Sequence, residues 1–178
     1  MWDKYGEFDS FEEINDKAKE LLAAGQVEEV RVLARENGIA TEIADYYITG
    51  AINFLCDSMT SAIGKMNKEI EGYQKRYVSN AKEVKEALEM HMSQDIIKYS
   101  IHKYGVDIDI NITGDDLAKA IRKKGKSLND ICKAVLTRAQ KIHQEGNPAS
   151  AMVVPMVINE YMKTVKTKKD NKAKKGDK

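Results

Sequence analysis

Apolar side chains recur every three or four residues along most of the chain, and each run is bounded by a capping residue or a glycine. Ser10-Phe11-Glu12-Glu13 fits a capping box, with Ser10 as N-cap and Glu13 reaching back from the third helical position. It predicts a helix to Ala24, stopped at Gly25, with Phe11, Ile14, Ala18, Leu21 and Leu22 on one face. A second helix from Val27 to Asn37 ends at Gly38 and turns Val30, Leu33 and Ala34 inward. Thr41 opens a short third helix carrying Ile43, Tyr46 and Tyr47, which ends near Gly50.

The rhythm then lengthens. Ile52, Leu55, Met59, Ala62, Ile63, Met66, Ile70, Tyr73 and Tyr77 make one stripe, and Val84, Leu88, Met92, Ile96 and Tyr99 continue it to Gly105. Two long antiparallel helices are the simplest reading; one bent helix also fits, because no proline separates them. Val106, Ile108, Ile110 and Ile112 alternate with polar residues, which is strand spacing. Its best candidate partner is the extended stretch Ser150 to Val154, before Pro155. Asp115 to Lys124 reads as a helix closed by Gly125. Ser127 caps the next, which carries Leu128, Ile131, Cys132, Val135, Leu136, Ala139 and Ile142 and ends at Gly146. Pro155 suits the first turn of a last helix that turns Val157, Ile158, Tyr161 and Val165 inward. No apolar residue larger than alanine follows Lys166, which predicts a disordered tail.

The expected fold is therefore mainly α: a helical bundle with a long antiparallel helical hairpin and room for a short two-stranded β-element. Its divisions are an acidic three-helix unit at 1–50, the hairpin at 51–105, a C-terminal helical unit at 106–165 and a lysine-rich tail at 166–178.

Composition narrows the function classes. With 42% hydrophobic and 32% charged residues the chain has the make-up of a globular protein. Apolar runs such as Ala151-Met152-Val153-Val154 are too short to span a bilayer. The opening Met1-Trp2-Asp3-Lys4 has no basic and apolar leader pattern, so a cytosolic location is expected. Cys56 and Cys132 fall on apolar stripes and read as small core hydrophobes.

The net charge of +1 conceals a gradient. Residues 1–50 carry 5 basic and 12 acidic side chains, whereas residues 163–178 carry 8 lysines and 2 aspartates. Without the tail, the body is acidic. That favours a basic protein partner over nucleic acid for the folded part.

Candidate chemistry is sparse. Ala120 to Ser127 loosely matches a phosphate loop, with Lys126 for terminal phosphates and Ser127 for Mg²⁺. Four of its loop positions lie in a predicted helix, however, so a helix C-cap at Gly125 and a new N-cap at Ser127 explain it better. Leu33 to Ile43 has the cadence of a helix-turn-helix. Its second helix exposes Glu42 and Asp45, which oppose docking against phosphates. His91, His102 and His143 lack zinc-helix spacing, and neither metal nor cofactor is expected. No pattern indicates an enzyme. Two surfaces remain. One is an acidic face formed by Glu12, Glu13, Asp16, Glu20, Glu28 and Glu29, suited to a basic protein. The other is a basic set, Arg122, Lys123, Lys124 and Lys126 with the tail, able to track phosphates.

Three stretches together carry a resemblance: Met1-Trp-Asp-Lys-Tyr-Gly-Glu-Phe-Asp-Ser10, Leu33-Ala-Arg-Glu-Asn-Gly-Ile39 and Arg122-Lys-Lys-Gly-Lys-Ser-Leu128. They resemble a family of small proteins of bacterial conjugative elements and phages, grouped with PcfK-like proteins, which includes inhibitors of the type II RNA-guided CRISPR nuclease. The similarity covers roughly residues 1–50 and 118–165, leaving 52–112 unmatched. The resemblance implies a non-enzymatic anti-CRISPR protein that binds a type II effector nuclease, or a nucleic-acid-binding accessory of plasmid transfer. The acidic face fits the first, since such nucleases hold nucleic acid in positively charged channels. The basic segment fits the second. A helical scaffold dimerising through the methionine-rich 52–104 hairpin is a third reading.

Overall fold

The computed structural model describes the backbone of residues 4–72 and 75–173, with side chains outside 75–79 and 164–173. It is a mainly α-helical fold with one small antiparallel sheet.

Three helices, α1 (Phe11–Ala23), α2 (Val27–Glu36) and α3 (Thr41–Ile48), enclose the first core. The Ser10 side chain accepts from the Glu13 N–H at 3.3 Å, and Glu13 takes the Asp9 N–H at 2.9 Å. Gly25 and Gly38 adopt φ of +71° and +69° where α1 and α2 stop. Thr41 is the first residue of α3 and not its cap; Ala40 precedes it with no side-chain cap bond. Ile14, Ala18, Val30, Leu33, Ala34, Ile39, Ala44 and Tyr47 fill this core, which Leu55 and Cys56 close from the following loop.

The second core is shared by everything downstream. α4 (Ser58–Glu71) and α5 (Lys75–Met92) pack on each other as the helical hairpin. They contribute Ala62, Met66, Val84, Leu88 and Met92 to the same cluster as Leu117, Ile121, Ile131, Val135, Met156, Val157 and Tyr161. These last belong to α6 (Gly114–Arg122), α7 (Leu128–Gln144) and α8 (Val153–Ala173).

Four expectations change. The hairpin's second helix does not continue to Gly105: α5 stops at Met92, and Ile97–Lys103 is a strand, β1. It pairs antiparallel with β2 (Val106–Ile112), so the partner of β2 is not Ser150 to Val154. That stretch forms a 3-10 turn and the start of α8. The cause is the short link between the strands. Tyr104 and Gly105 both take left-handed φ, 52° and 70°, and make a two-residue hairpin turn. Alternation of Ile97, Tyr99 and Ile101 then matches that of Val106, Ile108 and Ile110. The tail also differs. α8 continues through Ala173, where the absence of apolar residues predicted disorder from 166; no glycine or proline interrupts the chain before Gly176. The last five residues lie outside the described ones. Finally, α6 is opened by a full capping box at Thr113 and Asp116 and ends at Arg122, before the expected Lys124.

Candidate protein-binding face

The outer side of α1 carries Glu12, Asp16 and Glu20 at successive i, i+4 positions, about 6 Å apart along the axis. All three are exposed, while Ile14, Ala18 and Leu21 hold the opposite side in the core. Glu20 pairs with Lys17 at 2.8 Å. Glu13 is exposed too, with one oxygen engaged on the Asp9 N–H. Glu12 and Asp16 have no ion-pair partner among the described residues. Lys19, on the same side, is exposed and moderates the charge of the row. A cleft of about 290 Å³ opens beside Glu12, where Asp9, Ser58, Lys119 and Lys123 line its walls.

The same helix also holds the loop that follows α3. The Asn15 side chain clamps the chain after Phe54. Its Oδ1 accepts from the Leu55 and Cys56 N–H groups at 2.9 and 3.1 Å, and its Nδ2 donates to the Cys56 carbonyl at 2.8 Å. Leu55 and Cys56 are buried by this arrangement, and Phe54, one residue earlier, is left 68% exposed. The clamp fixes the backbone that follows an exposed aromatic residue. The only local signal was a large aromatic lying off the stripe of Ile52, Leu55 and Met59.

The α2 carboxylates serve the protein itself. Glu29 binds the Lys4 ammonium at 2.6 Å and accepts from the Tyr5 hydroxyl. The hydrogen bond to Lys4 holds its carboxyl below the usual range, and burial with the Glu29 contact raises the Tyr5 phenol. The neighbouring Glu36 accepts the N–H groups of Lys4 and Tyr5. Glu28, though exposed, pairs with Arg31, which also binds Asp45 at 2.7 Å. The six-residue acidic face of the sequence therefore contracts to Glu12, Glu13, Asp16 and Glu20 on α1.

The basic set changes more. Arg122 is not on the surface: it is 1% exposed. Its Nε donates to the Phe8 carbonyl at 3.1 Å, Nη1 to the Ser61 carbonyl at 3.2 Å and Nη2 to Asn37 Oδ1 at 2.6 Å. Lys123 faces Asp9 at 3.7 Å, and Lys126 donates to the Glu160 carbonyl at 2.9 Å. Of the four residues, only Lys124 is both exposed and without an ion pair among the described residues. The segment reads as basic because three of its charges are answered by residues distant in sequence. Lys65, buried on α4, donates to the carbonyls of Ile121, Lys123 and Lys126 at 3.0, 2.6 and 3.2 Å, and lies 3.3 Å from Glu7 and 3.6 Å from Glu69. Glu69 accepts the Leu128 N–H at 2.8 Å.

Comparison with protein-family models, curated proteins and solved structures finds no match.

The geometry therefore stands by itself. Among the described residues no helix is long and apolar enough to cross a membrane, and no three His, Cys, Asp or Glu side chains converge as metal ligands. Ser127 caps α7 and accepts from Asp130, in the helix-start role. On the outer face of the sheet His102 stands between Ser100 Oγ at 3.1 Å and Asp107 Oδ1 at 2.5 Å. The order of atoms is that of a hydrolase relay, but the Asp107 side chain is 88% exposed. A carboxylate so hydrated does not hold an imidazole as a buried orienting acid does. What α1 and its clamped loop can do is bind: charge to steer, and an aromatic ring to anchor.

Proposed function

We propose that this chain is a non-enzymatic binding protein whose α1 face docks on a basic protein surface. Carrying the resemblance forward, the partner is a type II CRISPR effector nuclease that is inhibited by the contact. One observation supports the reading above the rest: α1 carries the exposed Glu12–Asp16–Glu20 row and, through Asn15, also holds the backbone that follows the exposed Phe54. Glu12, Asp16 and Phe54 are not consumed by the fold, while Glu20 is paired with Lys17. Carboxylates without partners retain their field, and a ring held by a clamped backbone loses little entropy on binding. The channel of such a nuclease is lined for nucleic acid, so a row of carboxylates competes for the same cations. The plasmid-transfer reading is the weaker one, because Arg122 is buried and Lys123 and Lys126 are already engaged by Asp9 and Glu160.

The test is a pull-down with purified type II nuclease, with and without guide RNA, followed by a cleavage assay. Glu12→Lys with Asp16→Lys should weaken binding in a salt-dependent way, since surface charge is screened within about 10 Å at 0.1 M salt. Phe54→Ala should weaken it about thirtyfold, the effect of losing a central aromatic anchor of ~2 kcal/mol. Full inhibition by both folded variants would refute the face. Failure of the unaltered protein to bind the nuclease in either state would refute the partner.

A further inference from the structure

The β1–β2 hairpin leaves a main-chain edge open. In a hairpin closed by a two-residue turn, the residues flanking the turn exchange ladder bonds, and so does every second pair beyond them. Here these are Lys103 with Val106, Ile101 with Ile108, Tyr99 with Ile110 and Ile97 with Ile112. The N–H and C=O groups of Lys98, Ser100 and His102 therefore point away from β2. No backbone bond among the described residues takes them up. The equivalent edge of β2 is not comparable, because α8 lies along it and Asn159 and Met162 share a cleft with Asp109 to Ile112.

Beyond Ile97, which is buried, burial falls off toward the open edge. On the inner face Val106, Ile108 and Ile110 are buried, while Tyr99 and Ile101, across the ladder, are half-buried. Two large apolar residues stand nearby in water: Met90 at 60% and Ile96 at 65% exposure. The last turns of α5 are tied to β1 by the bond between His91 Nε2 and the Tyr99 hydroxyl at 2.6 Å. Soluble proteins blunt such an edge with lysine, proline, a bulge or a very short strand, and of these β1 has only Lys98 and Lys103. β1 has seven residues, continuous register and no proline.

We propose that the free edge of β1 is a strand-addition site that takes an extended segment of a partner protein with acidic and apolar residues in alternation. The charge pattern selects this occupant through Lys98, which faces Asn111 and has no ion pair among the described residues, whereas His102 is already held by Asp107. The outward row of β1 is Lys98, Ser100 and His102, and β2 answers it with Asn111, Asp109 and Asp107. A strand added on the other side meets the same row, with its alternate apolar residues over Tyr99 and Ile101. A second copy of β1 is disfavoured: two-fold pairing centred on Ser100 sets Lys98 against the other copy's His102 and places Lys103 against Ile97. This site is separate from the α1 face and does not depend on it.

The probe is a fluorescein-labelled peptide with the sequence Val-Asp-Ile-Asp-Ile-Asn-Ile, titrated into the full chain by anisotropy, with backbone amides followed by hydrogen exchange. The amides of Ser100 and His102 should gain protection. A peptide of the same composition with the alternation broken should bind roughly tenfold more weakly, as should a version with lysine at both aspartates. Ser100→Pro removes an outward N–H at an edge position, where proline is tolerated, and should cost roughly tenfold in affinity with an unchanged far-UV spectrum. Lys98→Glu with His102→Glu, a second route should the proline variant unfold, should reverse the preference between the aspartate and lysine peptides. Unchanged exchange at Ser100 and His102, or equal affinity for both peptides, would overturn the proposal. So would a sedimentation profile showing a dimer that Ser100→Pro dissociates, which would give the edge to a second copy.

Discussion

Arg122 Nη2 meets Asn37 Oδ1 at 2.6 Å, joining two side chains 85 residues apart that flank different cores. Asn37 also donates to the Leu33 carbonyl at 3.0 Å, so its amide orientation is set by α2 before Arg122 arrives. The two cores are thus connected by a guanidinium whose three donors reach the N-terminal segment, α2 and α4.

Removing that guanidinium should be costly. Arg122→Met leaves the Phe8 and Ser61 carbonyls and the Asn37 amide without their buried donor, at a loss of about 3 kcal/mol or more. Arg122→Lys should lie between, since an ammonium cannot reproduce the planar fork. Lys124→Ala, two residues away but exposed, should stay within about 0.5 kcal/mol of the parent. Urea unfolding followed by far-UV circular dichroism orders the three. Equal stability of Arg122→Met and Lys124→Ala would contradict the buried role.

A second junction involves backbone alone. Gly64 lies within α4, and a Cβ built there would stand 2.2 Å from the Asn37 carbonyl oxygen; one on Gly38 would stand 2.3 Å from the Gly64 oxygen. Gly→Ala in a helix ordinarily gains about 1 kcal/mol. Gly64→Ala should instead lose about 1–3 kcal/mol, because neither backbone can withdraw cheaply. Calorimetry will show a lower Tm; a higher one would mean that the helices are not in such close approach.

Glu69 provides a pH signature. Burial holds its carboxyl above the ordinary 4.5, against the opposing pull of Lys65 and the Leu128 N–H. A carboxyl whose pKa rises on folding keeps its proton longer in the native state than in the unfolded chain. Its contribution is fully present below 4.5 and is lost as pH rises through the folded value. The stability of the parent relative to Glu69→Gln should therefore decline as pH increases from the acid side. Urea midpoints of both proteins across a pH series test the sign. A difference that grows with pH would show the carboxylate to be net favourable where it sits.

The two thiols should be inert in the folded protein. Cys56 and Cys132 are free and buried, and burial pushes both up to about 12. Reaction with a disulfide reagent at pH 8 should run at least roughly a hundredfold slower than in guanidinium chloride, as thiolate supply and access both fall. A fast native phase would place one of them at the surface.

Local signals were legible in the sequence. Ser10 and Ser127 cap helices, and Gly25, Gly38 and Gly146 adopt positive φ where helices were expected to stop, because these roles depend on a residue and its immediate neighbours. β1 was not legible. Leu88, Met92, Ile96 and Tyr99 keep helical spacing, although Ile96 faces water and residues 93–95 break the helix without glycine or proline. The fates of Arg122 and Lys65 were hidden for another reason. Arg122 looks solvated in its basic run until Phe8, Asn37 and Ser61 are brought near, and Lys65 until the carbonyls of Ile121, Lys123 and Lys126 are. Phe54 was missed because its exposure is imposed by Asn15, thirty-nine positions earlier.

The loop between α6 and α7 shows what such hidden contacts mean for chemistry. A phosphate-gripping loop turns its amides inward and presents a positive concavity. This one turns carbonyl oxygens of Ile121, Lys123 and Lys126 toward a single point, and the Lys65 ammonium occupies it. Its inner polarity is that of an ionophore, with a tethered cation supplied by the protein. The lysines at 123, 124 and 126 around such a ring say nothing about anions within it.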